Sequence, residues 1–169
     1  GFGTKDEPYI LKTAAHMRNI SSVMEEGELV CFRMEADIDL SGENWVPINI
    51  VDPLGRYIDF DGNGHIIKGL TIKDQRYSSF FGILCGECYN VGFVDARVEG
   101  SNSASGVIAG YLGMRTPANA NIIGHVEGCY ASGTVIGSPA GGLVGYAGTS
   151  YNGNDNYVRN SYSAVNVST

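Results

Sequence analysis

Apolar and polar side chains alternate through most of the chain, starting with Glu28-Leu-Val-Cys-Phe-Arg-Met34 and returning in short segments rich in Val, Ile, Tyr and Phe. Gly, Asn or Ser bounds these segments, and a period of two between turn residues predicts strands joined by tight corners. Strands are expected near 66–72, 88–98, 129–136 and 161–167, with Ile72, Phe81, Val91, Val135 and Leu143 facing inward. One stretch follows the helical period instead. Over residues 13–24, Met17, Ile20 and Met24 fall on one face and Thr13 can cap the N-terminus.

The apolar pattern also repeats at long range. One series is Phe81-Gly82-Ile83-Leu84, Ala109-Gly110-Tyr111-Leu112 and Val144-Gly145-Tyr146-Ala147. A second is Cys88-Tyr89-Asn90-Val91, Cys129-Tyr130-Ala131-Ser132 and Ser161-Tyr162-Ser163-Ala164, each followed by a strand-like segment. Gly82 to Gly110 is 28 residues and Gly110 to Gly145 is 35, so the period varies while the order of the blocks holds. That combination marks a solenoid whose circuits carry loops of different length. The expected fold is all-β, a right-handed parallel β-helix of about four to five coils, in a single domain over 1–169. Residues 1–27 form an N-terminal cap around helix 13–24, residues 28–79 the first coils and residues 80–169 the repeats. The cap would cover an end of the solenoid that otherwise exposes strand edges.

Charge narrows the function. The 169 residues hold 11 Lys and Arg against 18 Asp and Glu, a formal net charge of −7. That balance repels phosphate backbones and anionic headgroups, so nucleic acid is disfavoured as a partner. No apolar run is long enough for a membrane span, so insertion of this segment is not expected. Residues 101–169 hold two basic and two acidic side chains and are dense in Gly, Ser, Asn and Tyr.

Gly3-Thr-Lys-Asp-Glu-Pro8-Tyr9-Ile10, Ala36-Asp-Ile-Asp-Leu-Ser41, Asn44-Trp45-Val-Pro47-Ile48, Phe60-Asp-Gly-Asn-Gly64 and Gly142-Leu-Val-Gly145 resemble the opening and repeats of GLUG-motif proteins. That family's repeats occur in bacterial adhesins, filamentous-haemagglutinin-like proteins and IgA-protease accessory regions. The resemblance spans almost the whole chain and implies a β-helix in an extracellular or cell-surface setting. Phe80-Phe81-Gly82 and Ile108-Ala109-Gly110 are degenerate copies, and the sequence stops inside the last repeat.

Candidate chemistry is sparse. Asp59-Phe-Asp61-Gly-Asn63-Gly64 matches the first half of a calcium loop, but the twelfth position is Leu70, where such a loop needs a bidentate Glu. A glycine-rich corner explains the same residues, and no metal or other cofactor is expected. Cys85, Cys88, His125 and Cys129 can be read as a zinc set, or the cysteines as small residues stacked inside a solenoid. Four cysteines in an exported chain permit disulfides as well as thiols. No nucleophile elbow, zinc-protease helix or phosphate-binding loop is present, so no catalytic residue is assigned. The enzyme alternative is a polysaccharide lyase or hydrolase using Asp95, Glu99 and Arg97, with Glu127 nearby. The preferred function is a non-catalytic module for adhesion or glycan contact, with a passive structural spacer as the other rival. Its ligand would be a host or microbial glycan or a surface protein. Tyr146, Tyr151 and Tyr157, with Asn152 and Asn154, combine rings that stack on sugars with amides that bond hydroxyls.

Overall fold

The fold is given by a computed structural model that describes residues 1–48, 56–100, 103–114, 122–148 and 155–169. The chain opens with β1 (Tyr9–Leu11), α1 (Ala14–Arg18), α2 (Ile20–Val23) and β2 (Leu29–Met34). Next come β3 (Ile38–Asp39), β4 (Tyr57–Asp61), β5 (Ile66–Lys68) and β6 (Thr71–Lys73). The following strands are β7 (Phe81–Leu84), β8 (Gly86–Tyr89), β9 (Gly92–Glu99) and β10 (Ala109–Leu112). The last are β11 (Gly124–Glu127), β12 (Tyr130–Ile136), β13 (Val144–Ala147), β14 (Tyr157–Arg159) and β15 (Tyr162–Ser168).

These strands form three sheets. The first runs β1-β2-β4-β8-β11-β14, the second β3-β5-β9-β12-β15, with β6 also on β9, and the third β7-β10-β13. All pairings between named strands are parallel, and each joins a strand to one from a neighbouring circuit of the chain. The described residues are therefore nearly all β with few helices, in parallel sheets, consistent with a β-helix.

Alternation fills the space between the sheets. Along the first sheet Phe32, Phe60, Cys88, Val126 and Val158 stand in register on the inner side. Phe80 meets the edges of Phe60, Phe81 and Phe93 at centroid distances of 5.7, 4.8 and 5.2 Å, and Trp45 stacks on it at 4.8 Å. The Trp45 indole N–H donates to the Phe80 carbonyl (3.0 Å), so its polar edge is satisfied inside the core. Ile72, Phe81, Val91 and Val135 are buried and Leu143 packs against the same core, as the alternation predicts.

The repeat glycines sit in register, Gly110 lying between Ala109 and Tyr111, which pair with Phe81 and Ile83 on one side and with Val144 and Tyr146 on the other. A side chain at Gly110 would come within 2.9 Å of the Ala104 carbonyl, and one at Gly145 within 2.5 Å of the Ser105 backbone. Those positions are glycine because another length of backbone passes directly over them.

Three expectations need correction. The helix expected over 13–24 is two short helices, broken at Asn19, where the Ser22 hydroxyl donates to the Asn19 carbonyl at 2.8 Å and to its side-chain oxygen at 2.7 Å. Local side-chain bonds of this kind compete with helix continuation. Thr13 is the cap, accepting the His16 N–H at 3.1 Å. The expected strands 66–72 and 88–98 each divide at a left-handed residue, Gly69 (φ 68°) and Asn90 (φ 55°). Finally, Cys88 and Cys129 are not equivalent repeat positions. Cys88 pairs with Val126, whereas the partner of Tyr130 is Gly92, so the true counterpart of Cys129-Tyr130 is Val91-Gly92. The two cysteines nevertheless meet in the core, the Cys129 thiol lying 3.6 Å from the Cys88 carbonyl oxygen.

Candidate functional site

The outer side of the first sheet carries two ladders of side chains. One reads Cys31, Asp59, Glu87, His125, Tyr157 and the other Arg33, Asp61, Tyr89, Glu127, Arg159. Each circuit contributes a polar–apolar–polar strand, for example Glu87-Cys-Tyr89 or His125-Val-Glu127, whose middle residue points inward. The next residue is Asn90 (φ 55°), Gly128 (φ 62°) or Asn160 (φ 48°), so three successive circuits leave the sheet at the same place. Asn and Gly are the residues that tolerate this left-handed corner, and its repetition keeps the ladders straight.

The ladders line a surface groove of about 580 Å³ running over β8, β11 and β14, with Lys5 of the N-terminal segment at its margin. His125 holds its centre. Its Nδ1 lies 3.6 Å from Glu87 Oε1, and its Nε2 3.2 Å from the Asp155 carbonyl oxygen. Its ring stacks on Tyr157 with centroids 3.9 Å apart and planes 13° from parallel. The Arg159 guanidinium lies 4.0 Å from the Tyr157 ring centre. Asn160 Nδ2 donates to Glu127 Oε1 at 3.4 Å. Below them the Tyr89 hydroxyl donates to Asp59 (2.9 Å), and burial together with that carboxylate pushes the Tyr89 hydroxyl pKa up. Burial and then Asp59 likewise push the Cys31 thiol up, so neither group supplies a nucleophile near neutrality. The groove offers exposed carboxylate acceptors, amide and imidazole hydrogen-bonding groups, and aromatic surface.

The sequence candidates are distributed differently. Tyr157 lies in this groove, whereas Tyr146 stands on the third sheet, 47% exposed and 5.1 Å from Tyr111, which in turn contacts Tyr77 at 5.1 Å. Tyr151, Asn152 and Asn154 lie outside the described residues. Asp59, Asp61 and Asn63 face protein donors: Tyr89 on Asp59, the Asn63 N–H (2.7 Å) and Arg33 (3.7 Å) on Asp61, and Arg33 (2.9 Å) on Asn63. Leu70, at the twelfth position of the calcium-like pattern, is fully buried. Among the described residues no cluster of His, Cys, Asp or Glu is placed to hold a metal ion. All four cysteines are buried thiols, with Cys85 packed beside Ile83 and Ile122, Cys88 and Cys129 in the main core, and His125 on the outer face. Asp95 is the extra residue of a bulge in β9 (φ 56°), Glu99 faces Lys73, and Glu127 belongs to a different sheet, so this acidic set does not converge. Sequence reasoning missed Glu87, Tyr89 and Arg159, and took His125 only as a possible metal ligand. The signal was the polar–apolar–polar triplet ahead of each Asn or Gly corner.

No protein-family model matches the chain. A crystal structure from Bacteroides ovatus, provisionally named an immunoglobulin A1 protease, is similar at TM-score 0.91 and 42% identity over 98% of this chain. The chain spans 49% of that protein. A protein of Evansella cellulosilytica, provisionally named a Gly-rich membrane protein, is 37% identical over 93 residues, which is 50% of this chain and 10% of the relative. Among the described residues no helix is long and apolar enough to cross a membrane.

Proposed function

We propose that this chain is a non-catalytic, surface-displayed module of an exported bacterial protein that makes contact with glycans through the outer face of its first sheet. The fold we assign to it is a right-handed parallel β-helix of about four to five coils, of the GLUG-repeat kind. The names carried by the Bacteroides and Evansella proteins, a protease of immunoglobulin A1 and a membrane protein, support the exported setting. The observation that carries the binding reading is the groove over β8, β11 and β14. There the His125–Tyr157 stack stands beside the exposed carboxylates Glu87 and Glu127 on a parallel sheet. Sugars are bound by this combination of ring surface and hydroxyl-bonding groups. A shallow open groove buries little of a ligand, so single-site affinity is modest and display in many copies supplies avidity.

The test is a glycan array read with a multivalent form of the protein beside a Tyr157→Ala variant. Binding to a defined set of glycans, lost or reduced several-fold in the variant, is expected. No signal above background, or a signal indifferent to Tyr157, would leave the chain as a structural spacer.

A further inference from the structure

The order of side chains on the two ladders is informative about the ligand, given the reading of the groove as a glycan site. On β8 the pair is Glu87 and Tyr89, acid on the first ladder and ring on the second. On β11 it is His125 and Glu127, ring on the first ladder and acid on the second. The acid and the ring therefore exchange sides from one circuit to the next. β14 presents a ring on the first ladder again, Tyr157, with Arg159 on the second. Successive circuits are one strand spacing apart, about 4.8 Å.

We propose that the groove recognises an unbranched polysaccharide whose successive residues are related by a two-fold screw, as in β-1,4-linked hexopyranoses, lying across the strands with one sugar per circuit. In such a chain each residue is turned over relative to the last, and its advance is close to one strand spacing. A given hydroxyl then emerges on alternate edges of the chain, where Glu87 and Glu127 stand on alternate ladders to accept it. The same turning sets the sugar at β8 beside Tyr89 on the second ladder and the sugar at β11 beside His125 on the first, while β14, with Tyr157 on the first ladder and Arg159 on the second, ends the groove without repeating the exchange. An α-1,4-linked chain curls, and a β-1,3-linked chain winds into a helix, so neither gives this exchange of sides between β8 and β11. The three circuits lining the groove set the length of ligand it reads.

The experiment is calorimetric titration of the 169-residue chain with soluble oligosaccharides of increasing length. Cello- and chito-oligosaccharides represent the β-1,4 class, malto-oligosaccharides the α-1,4 class and laminari-oligosaccharides the β-1,3 class. Affinity for at least one β-1,4 series is expected to rise up to three or four sugars and then level off, exceeding that for the other linkages. Removing one charged hydrogen-bond acceptor weakens such contacts by about tenfold. Glu87→Gln and Glu127→Gln should each do so to a similar degree, with melting temperature unchanged, while Glu99→Gln on the second sheet leaves binding intact. Equal affinity for all linkages, or loss in only one of the two groove variants, would overturn the two-fold assignment while leaving glycan contact standing. Absence of binding to every series, on a chain that also fails the array, would overturn both.

Discussion

Gly110 shows at a single atom what the repeat requires, because a methyl group there would press on the Ala104 and Gly82 carbonyls at 2.9 Å and on Tyr77 at 3.0 Å. Gly110→Ala is expected to destabilise the fold by about 1–3 kcal/mol, the usual cost of overpacking, read from the denaturation midpoint. Acid sensitivity is also set by individual residues. The Lys12 hydrogen bond lowers the Glu35 pKa, the Ile66 N–H and then His65 lower that of Asp37, and Ser41 lowers that of Asp39. A carboxylate depressed in the native state contributes stability that is whole above its unfolded pKa, near 4, and is lost as pH falls through its native value. Stability should therefore fall as pH drops below the ordinary carboxylate range of about 4, and Asp37→Asn should flatten that dependence in melting curves. The return of Gly82, Gly110 and Gly145 at the same place in each apolar block made the repeat legible in sequence, though not the contacts that require glycine there. The places of Glu87 and Arg159 were not legible, since an isolated polar residue in an alternating strand reads as solvated until the corners align it with its neighbours, and His125 was grouped with cysteines that face the other way.

At the scale of elements, the helical stretch near the N-terminus and the parallel strands of the repeats could be read from hydrophobic period, because burial on one face imposes that period, but not the breaks at Asn19, Gly69 and Asn90. The register of the second series could not. Tyr130 lies over Gly92, with a methyl group at Gly92 only 2.2 Å from the Tyr130 ring, so the aromatic residue of one circuit is answered by a glycine in the circuit before it. Matching aromatic to aromatic places Tyr89 there instead, three residues early. The bulge at Asp95 adds a further residue that no periodicity announces. The cap makes a separate prediction. Thr13→Ala should cost about 0.5–2 kcal/mol through loss of the N-cap, and Met17→Ala about 2–5 kcal/mol through a buried cavity. Chemical denaturation of both variants checks the order, Met17→Ala being the more damaging.

The whole molecule joins the cap, the core and the groove through continuous parallel ladders, so its buried groups should open together. Cys31, Cys85, Cys88 and Cys129 are all buried, and burial pushes the Cys88 thiol well up. A thiol reagent should find almost no reactive cysteine in the native protein and four after denaturation. The proposed glycan face lies on the first sheet, apart from the tyrosines Tyr77, Tyr111 and Tyr146 that contact one another elsewhere. Amide chemical-shift mapping by NMR during titration with an array-selected oligosaccharide tests this most directly. Shifts are expected to concentrate at Glu87, Tyr89, His125, Glu127 and Tyr157 and to saturate together with a single affinity. Shifts centred on Tyr111 and Tyr146, or none on the outer face of the first sheet, would contradict it.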